Sequence, residues 1–325
     1  MNRIILKKGK SRPVKRYHPW VFSGAIQDCG DVEDGEIAEV FDFKGEFLGK
    51  GYFNSKSQIA VRILEWDREV EISREWWRNR ITNAVKLREH LKETDSLRMV
   101  YSEADFLPGL IVDKYSEYLA VQILTRGIEK QRGMITELLL EYFNPKGIFE
   151  KVDEVTKEKE GLTGVSGTVY GNVPEEIIIN ESGNKFYVNV KSSQKTGFYL
   201  DQRENRKLLN LYVNRKKILD CFSFTGGFSV YAAKAGAENL TLLDSSEEVL
   251  KIASKNFKLN EIPENNINLI QADVFKEMRK FRDKNEKFDV IILDPPKLAP
   301  SKYQKEKALR AYKDINLLGL KLLNP

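Results

Sequence analysis

Four aspartates follow apolar, strand-like runs in the C-terminal third of the chain, where their carboxylates could bind a small polar ligand. These are Asp220, Asp244, Asp273 and Asp294. In a doubly wound α/β fold the carboxyl ends of the parallel strands meet at one edge of the sheet, and ligands bind there. One such aspartate alone is more simply explained as a helix cap or a turn residue. Four in order predict a ligand site at the edge of a parallel sheet.

A glycine turn after the first of these strands indicates which kind of ligand fits. Thr225-Gly226-Gly227 follows Asp220 and precedes a helix-like spacing of apolar residues over 228–235, which Gly236 is expected to end. A dinucleotide site needs three spaced glycines, so that a pyrophosphate can lie on the helix N-terminus. This turn has only a pair of glycines, and a cofactor without phosphate therefore fits better.

S-adenosylmethionine (SAM) carries a ribose and an adenine but no phosphate, and the other strand ends suit it. Asp244 can accept hydrogen bonds from both ribose hydroxyls. Asp273 is suited to the adenine amino group, and Ser245 is expected to cap the following helix in a capping box with Glu248. We therefore predict SAM as the cofactor and methyl transfer as the reaction.

Several segments carry motifs that together resemble one family. They are DCFSFTGGFSV, LLDSS, QADVF and LDPPK, with QKTGFYLDQREN at 194–205, DFLPGLIVDKY at 105–115 and HPWVFSGAI at 18–26. These segments resemble the rRNA large subunit methyltransferase I family of class I SAM-dependent enzymes, including its N-terminal PUA domain and its middle domain. The resemblance covers the whole chain. It implies methylation of C5 of a cytosine in 23S rRNA, with that rRNA as the partner.

The resemblance also extends the cofactor site to a loop upstream of the first strand. It implies that 194–200 lies over the cofactor, which adds Lys195, Thr196, Phe198, Tyr199 and Gln202 to the candidates. On the sheet edge itself the predicted cofactor residues are Asp220, Phe222, Thr225, Gly226, Gly227, Asp244, Ser245, Asp273, Val274 and Asp294.

The segment Asp294-Pro295-Pro296-Lys297 supplies the candidate catalytic residues. Enzymes that methylate exocyclic amines use an aromatic residue after such a Pro-Pro pair to stack on a flipped base, and Lys297 takes that position here. Methylation of cytosine C5 instead needs a cysteine thiolate that adds at C6. Cys221 lies beside the glycine turn, but a buried and inert thiol is the simpler expectation for it. Two alternatives stay open: an RNA N-methyltransferase that uses Asp294, and a non-catalytic RNA-binding protein with a vestigial SAM fold.

The end of the sequence affects where the nucleophilic cysteine is expected. In the resembling family the nucleophilic cysteine lies in a strand after the Asp-Pro-Pro segment, whereas this sequence stops at Pro325, which resembles the end of the preceding helix. We therefore expect the 1–325 chain to be inactive by itself. We also expect the strand at 289–293 to be an unprotected edge of the sheet.

The N-terminal segment is basic and suited to contact with RNA. No acidic residue precedes Asp28, although the net charge of the whole chain is only +5. Cations beside aromatic side chains suit phosphate contact together with stacking on unpaired bases, while a solvated, frayed terminus is the plain alternative. With the resemblance to a PUA domain, we predict RNA contacts from Lys7, Lys8, Lys10, Arg12, Arg16 and Trp20.

The patterning predicts three domains in a chain of 325 residues, of which 41% are hydrophobic. Short strand-like runs within 1–70 predict a small β-barrel, the PUA-like domain. Mixed strands and helices within 71–185 predict an α+β middle domain. Residues 186–325 then form a Rossmann-like α/β methyltransferase domain that is C-terminally incomplete.

Two details of the middle domain are also predicted. Trp76, Trp77, Ile81, Val85 and Leu91 recur at helical spacing within 74–91, which predicts an amphipathic helix. The two tryptophans could stack on a nucleobase, but a place in the core is the favoured prediction. The charged run at 151–161 is predicted to be a solvated loop or linker.

The composition indicates whether disulfides, a metal centre or membrane contact should be expected. Two cysteines in different predicted domains and two histidines favour neither a disulfide framework nor a metal centre. The sequence has no apolar run long enough to span a bilayer, and no apolar signal-peptide core follows the basic N-terminus. We therefore expect a cytoplasmic location and no membrane contact. A homodimer is one candidate assembly.

Overall fold

The computed structural model describes residues 2–192, 197–299 and 304–325. Lys195 and Thr196, two of the predicted cofactor residues, lie outside the described residues. The chain divides into two compact units. The first comprises Met1–Ile177 and Val188–Phe198, and the second comprises Ile178–Tyr187 and Tyr199–Pro325.

The first unit begins with a mixed sheet in the order β2-β6-β5-β4-β1-β3. Its strands are β1 Arg3–Leu6, β2 Trp20–Val21, β3 Ile26–Asp28, β4 Ile37–Phe41, β5 Phe47–Phe53 and β6 Val61–Glu65. Apolar side chains from these strands, such as Ile4, Val40 and Ile63, form one buried cluster. The short strands that the sequence predicts within 1–70 are therefore present.

A second sheet of the same unit has the order β11-β10-β9-β8-β7. Its strands are β7 Leu97–Tyr101, β8 Leu110–Tyr115, β9 Tyr118–Ile123, β10 Gly147–Glu150 and β11 Gly167–Gly171, and its helices are α1 Arg74–Lys86, α2 Arg126–Lys130, α3 Arg132–Phe143 and α4 Glu154–Glu160. The Ser73 hydroxyl caps α1 by accepting a hydrogen bond from the Trp76 N–H (3.3 Å). Trp76 and Trp77 are buried, which confirms their predicted place in the core. The helix ends at Lys86, however, short of the predicted 91.

The prediction of a solvated loop at 151–161 was wrong, because α4 occupies most of it. Asp153 caps this helix by accepting a hydrogen bond from the Thr156 N–H (2.7 Å). At its other end Glu160 is buried and accepts hydrogen bonds from Arg62 Nη2 (2.7 Å) and Asn54 Nδ2 (3.0 Å). The charges that suggested solvation are thus partly used inside the unit, by partners far away in the sequence.

The second unit contains a parallel sheet in the order β16-β15-β14-β17. Most of the hairpin β12 Ile177–Glu181 and β13 Asn184–Val188 also belongs to this unit. The other elements in chain order are α5 Arg203–Leu209, β14 Lys217–Cys221, α6 Gly227–Lys234, β15 Asn239–Asp244, α7 Glu247–Leu259, β16 Ile267–Gln271, α8 Val274–Asp283, β17 Val290–Leu293 and α9 Lys305–Leu322. This alternation gives the Rossmann-like α/β sheet that the sequence predicted.

The strand β17 forms one border of this sheet within the described part of the chain. The expected unprotected edge is partly covered, because Leu323 pairs in parallel with Phe288 just before β17. The Phe288 N–H donates to the Leu322 carbonyl (2.9 Å), and the Asn324 N–H donates to the Phe288 carbonyl (2.8 Å). Among the helices that the structure describes, none is both long enough and apolar enough to cross a membrane.

Candidate cofactor-binding site

The turn between β14 and α6 has an unusual backbone. Phe222, Phe224 and Gly226 have φ values of 60°, 49° and 74°. This left-handed region is unfavourable for residues with a Cβ, so two phenylalanines there indicate a turn that its surroundings hold in place. At Gly226 a Cβ would also lie 3.1 Å from the Cβ of Ala253 in α7. The glycine therefore serves both the turn conformation and the close approach of α7.

Asn256 is the main side chain that holds this turn. It is buried on α7, and its Nδ2 donates to the Thr225 carbonyl (2.8 Å). Its Oδ1 accepts from the Tyr187 N–H of β13 (2.8 Å). Asn256 was not predicted from the sequence, because both of its partners are distant in the sequence and no local pattern marks it.

Asp220 lies buried at the end of β14. The Ser229 hydroxyl of α6 donates a hydrogen bond of 2.6 Å to its Oδ2. The pKa of Asp220 is raised to about 7, mainly by burial and in addition by the negative charges of Asp294 and Asp244, while the Ser229 hydrogen bond lowers it. Three of the four predicted strand-end carboxylates are thus close enough to interact at one edge of the sheet.

Asp244, at the end of β15, is half-buried and faces the turn. Its Oδ2 accepts from the Phe224 N–H (3.0 Å), and its Oδ1 accepts from the Ser246 N–H (3.0 Å). A carboxylate has about four acceptor positions, so these two bonds leave capacity for further donors such as ribose hydroxyls. The predicted cap at Ser245 was wrong by one residue: Ser246 caps α7, and Ser245 is exposed. The bond from the Ser246 N–H to Asp244 extends the strand end and delays the start of the helix.

Asp273 follows β16 and caps α8. Its Oδ1 accepts from the Lys276 N–H (2.9 Å), while the side chain stays exposed. The next residue, Val274, is buried in the core beneath the sheet. The ring of Phe275, the second residue of α8, packs edge to face on Phe222, with centroids 6.3 Å apart. The cap explanation therefore holds for one oxygen of Asp273, and the adenine role stays a prediction.

The Asp-Pro-Pro-Lys segment after β17 lies near the aromatic residues of the turn. Asp294, Pro296 and Lys297 are exposed, and Pro295 is half-buried. The Tyr199 ring packs edge to face on Phe224, with centroids 5.6 Å apart. Burial raises the pKa of Tyr199, and the negative charge of Asp294 adds to this effect.

The remaining loop candidates are placed as follows. Gln202 is half-buried in a short turn before α5, and its Oε1 accepts from Asn205 Nδ2 (2.8 Å). Phe198 belongs to the first unit, where its N–H donates to the Tyr115 hydroxyl (3.2 Å).

Both cysteines are free thiols. Cys221 is completely buried, and burial together with the charge of Asp220 raises the pKa of its thiol. A thiol in this state is not a nucleophile near neutral pH. Cys29 is half-buried in the first unit.

Two buried hydroxyls beside the glycine turn fit a polar cofactor. Ser223 Oγ and Thr225 Oγ1 make no hydrogen bond within the part of the chain that the structure describes. Buried polar atoms are normally paired, so a ligand with donors and acceptors is a natural partner for them. No group of histidine, cysteine or acidic side chains in the described ranges is arranged to hold a metal ion.

The predicted RNA contacts lie on the surface of the first unit. Lys7, Lys8, Lys10, Arg12 and Arg16 are exposed. Trp20 is only half-buried, and its Nε1 donates to Glu103 Oε1 (2.8 Å).

A parallel sheet with converging carboxylates, a glycine turn and buried hydroxyls without a partner in the described ranges fits the class of SAM-dependent methyltransferases. The S-adenosylmethionine-dependent methyltransferase family model matches residues 164–318, and the PUA-like domain model matches residues 4–66. The chain belongs to the ribosomal RNA large subunit methyltransferase I family, and its cofactor is SAM. It is 41% identical to the family member of Aeromonas salmonicida and 40% identical to that of Aliivibrio fischeri, in each case over 99% of this chain and 83% of the relative.

Solved structures agree on the fold. A SAM-dependent methyltransferase from Streptococcus mutans has a TM-score of 0.84 at 23% identity, and the match covers all of this chain and 83% of that one. A methyltransferase crystallised with SAH has the same TM-score and identity, with 84% of its chain covered.

Proposed function

We propose that this SAM-dependent rRNA methyltransferase acts on C5 of a cytosine in 23S rRNA. The observation that carries the proposal is the family membership, at 41% identity over nearly the whole chain. The presence of Lys297, where amine methyltransferases use an aromatic residue, also disfavours an exocyclic amine as the target. Action on rRNA further implies a cytoplasmic location.

In this proposal, different residues at the sheet edge bind different parts of SAM. Asp244 holds the ribose hydroxyls, and the hydroxyls of Ser223 and Thr225 bond the polar parts of the cofactor near the turn. Bound SAM supplies an electrophilic methyl group, so the protein mainly has to align that group with the target atom. Asp294 and the Pro-Pro backbone form the rim at which the base would enter.

C5 chemistry also requires a thiolate that adds at C6. The buried, protonated Cys221 does not fit this role, and Cys29 lies in the other unit. The second candidate is methylation of an exocyclic amine, in which the Asp294-Pro295-Pro296 segment would supply the polar group beside the base.

Mass mapping of the modified nucleosides separates the two candidates. Unmodified 23S rRNA is treated with the 1–325 chain and SAM, and rRNA from a strain without the gene is compared with that of its parent. A 5-methylcytosine that is missing only in the mutant strain supports the proposal, and a missing N-methylated base supports the alternative. The in vitro arm also tests the prediction that the 1–325 chain by itself forms no 5-methylcytosine.

The RNA-binding assignment is tested separately. Replacement of Lys7, Lys8, Lys10 and Arg12 by alanine should weaken rRNA binding and reduce its salt dependence, because phosphate contacts release counterions. SAM affinity should be unchanged.

The oligomeric state of the chain is a separate question. Sedimentation measures it, with a homodimer as the predicted alternative to a monomer.

A further inference from the structure

An exposed aromatic side chain lies in the turn between β7 and β8 of the first unit. Phe106 leaves 52% of its surface exposed, and its φ is 58°. Left-handed backbone is sterically unfavourable for a residue with a large side chain, and exposure of the ring adds no packing energy. Glycine would suit the position better on structural grounds alone, so this phenylalanine calls for another explanation.

Polar groups hold the turn in this conformation. Asp105 is buried and accepts from Arg88 Nη1 (3.0 Å) and Nη2 (2.8 Å). The Ser102 hydroxyl accepts from the Gly109 N–H (2.7 Å), and the Phe106 N–H donates to the Glu103 carbonyl (3.2 Å). The ring is therefore presented on a fixed backbone, which reduces the entropy lost when a ligand binds.

Cations lie next to exposed rings on this surface. The Arg80 guanidinium carbon is 5.2 Å from the centroid of Phe106. Tyr101, at the end of β7, is half exposed and has the guanidinium carbon of Arg98 5.0 Å from its ring centroid. Aromatic faces with neighbouring cations are the features by which proteins bind unpaired nucleobases and their phosphates.

The turn is also continuous with the predicted RNA contact at Trp20. The Trp20 indole N–H donates to Glu103 Oε1, three residues before Phe106, and Arg62 pairs with the same oxygen at 3.2 Å. Both sheets belong to one compact unit, so this bond joins the PUA-like sheet to the turn of the second sheet.

We propose that Phe106 and Tyr101, together with Arg80 and Arg98, form a stacking site for unpaired nucleobases of the rRNA substrate. This stacking site lies outside the PUA-like sheet. It rests on the proposed function in one respect, because the rRNA that the enzyme methylates is taken as the occupant. The partner is single-stranded RNA, since only unpaired bases expose a face that a ring can cover.

Binding of unmodified, transcribed 23S rRNA to the 1–325 chain, with tRNA as competitor, tests the proposal. Phe106→Gly should raise the Kd about tenfold, as expected for the loss of one base-stacking contact. The same variant should unfold at an equal or higher urea concentration, because glycine relieves the left-handed strain. Phe106→Tyr keeps an aromatic face and should bind as the unaltered chain does. Tyr142→Ala, at an exposed aromatic residue beside the acidic Glu141, is the matched control and should have no effect on the Kd.

The outcomes separate the two proposals. If the unaltered chain binds 23S rRNA and Phe106→Gly binds it equally well, the stacking site is refuted while the proposed function stands. If the unaltered chain shows no preference for 23S rRNA over tRNA, the proposed substrate fails, and the stacking site fails with it. A loss of affinity in Phe106→Gly that Phe106→Tyr does not restore would assign the effect to the turn backbone and overturn the stacking role.

Discussion

Two buried carboxylates of the second unit have opposite environments. Glu181, at the end of β12, accepts from Arg206 Nε (2.8 Å) and Nη2 (2.7 Å), and the Tyr231 hydroxyl donates to it as well (3.1 Å). Asp220, at the end of β14, has the Ser229 hydroxyl as its donor, and its charged neighbours are the carboxylates of Asp244 and Asp294. Both side chains are almost completely buried.

The difference between these two environments indicates a structural role for Glu181 and a functional role for Asp220. A bidentate arginine compensates a buried negative charge and fixes the hairpin on α5. A hydroxyl compensates much less, so Asp220 keeps a raised pKa and is neutral over part of the physiological range. Buried, perturbed carboxylates beside other charged groups are typical of functional sites, and this one lies at the cofactor edge.

The largest expected effect follows from breaking the compensated pair. Arg206→Ala leaves Glu181 buried without its cation, which should lower the free energy of unfolding by about 3–5 kcal/mol. Urea denaturation followed by circular dichroism measures it. The double variant Arg206→Met with Glu181→Gln should recover most of the loss, because no uncompensated charge remains. If the single variant is as stable as the unaltered chain, Glu181 is not held by this pair.

The next effect concerns the cofactor edge itself. Asp244→Ala should weaken SAM binding by about 1.5–3 kcal/mol for each charge-assisted bond to the ribose that is lost. Titration calorimetry with SAM measures the affinity. Asp283→Ala, at an exposed carboxylate near the end of α8, is the control and should bind SAM normally. Unchanged affinity in Asp244→Ala would remove Asp244 from the cofactor site.

Asp244 and Glu181 also show which site residues can be predicted from the sequence and which cannot. Asp244 was found because it follows an apolar run and because the ends of parallel strands converge, a rule that needs only local pattern and fold class. Glu181 and Arg206 were missed, since nothing in either segment reveals that they meet in space. Asn256 was missed for the same reason.

Errors in the elements had the same origin. The charged run at 151–161 was predicted to be solvated, but most of it forms α4. Asp153 caps this helix, and Glu160 accepts a hydrogen bond from Arg62, about 100 residues away in the sequence. Ser245 was predicted as the cap, but its neighbour Ser246 is a serine too, and the bond from the Ser246 N–H to Asp244 fixes the cap at Ser246. The order of strands and helices in the parallel sheet depends on apolar periodicity and was predicted correctly.

A third prediction uses pH to separate the two environments. The pKa of Asp220 is raised from its usual 3.8 to about 7, so between these values the folded chain holds the proton more tightly than the unfolded chain. The contribution of this group to stability is therefore complete below about pH 4 and is lost as the pH rises through 7. A pKa difference of one corresponds to about 1.4 kcal/mol. At pH 8 we expect Asp220→Asn to be more stable than the unaltered chain by at least that amount.

Urea denaturation at pH 5 and pH 8 measures this effect. Ser229→Ala is a useful companion variant, because loss of the hydroxyl donor should raise the pKa of Asp220 further and move the loss of stability to higher pH. Equal pH dependence in Asp220→Asn and in the unaltered chain would show that the carboxylate is not titrating in this range.

The smallest expected effect is at Cys221, the neighbour of Asp220 on β14. Burial and the adjacent carboxyl raise the pKa of its thiol, so it should stay unmodified when the folded chain is treated with iodoacetamide at pH 8, whereas the half-buried Cys29 should react faster. Mass spectrometry of the peptides measures both sites, and treatment in urea is the control in which they should react alike. Cys221→Ser should in turn leave SAM affinity within about twofold of the unaltered chain, because the thiol is completely buried and Cys221 is not among the predicted cofactor residues. Rapid alkylation of Cys221 in the folded chain would instead make it a reactive thiol at the sheet edge and reverse its separation from the catalytic residues.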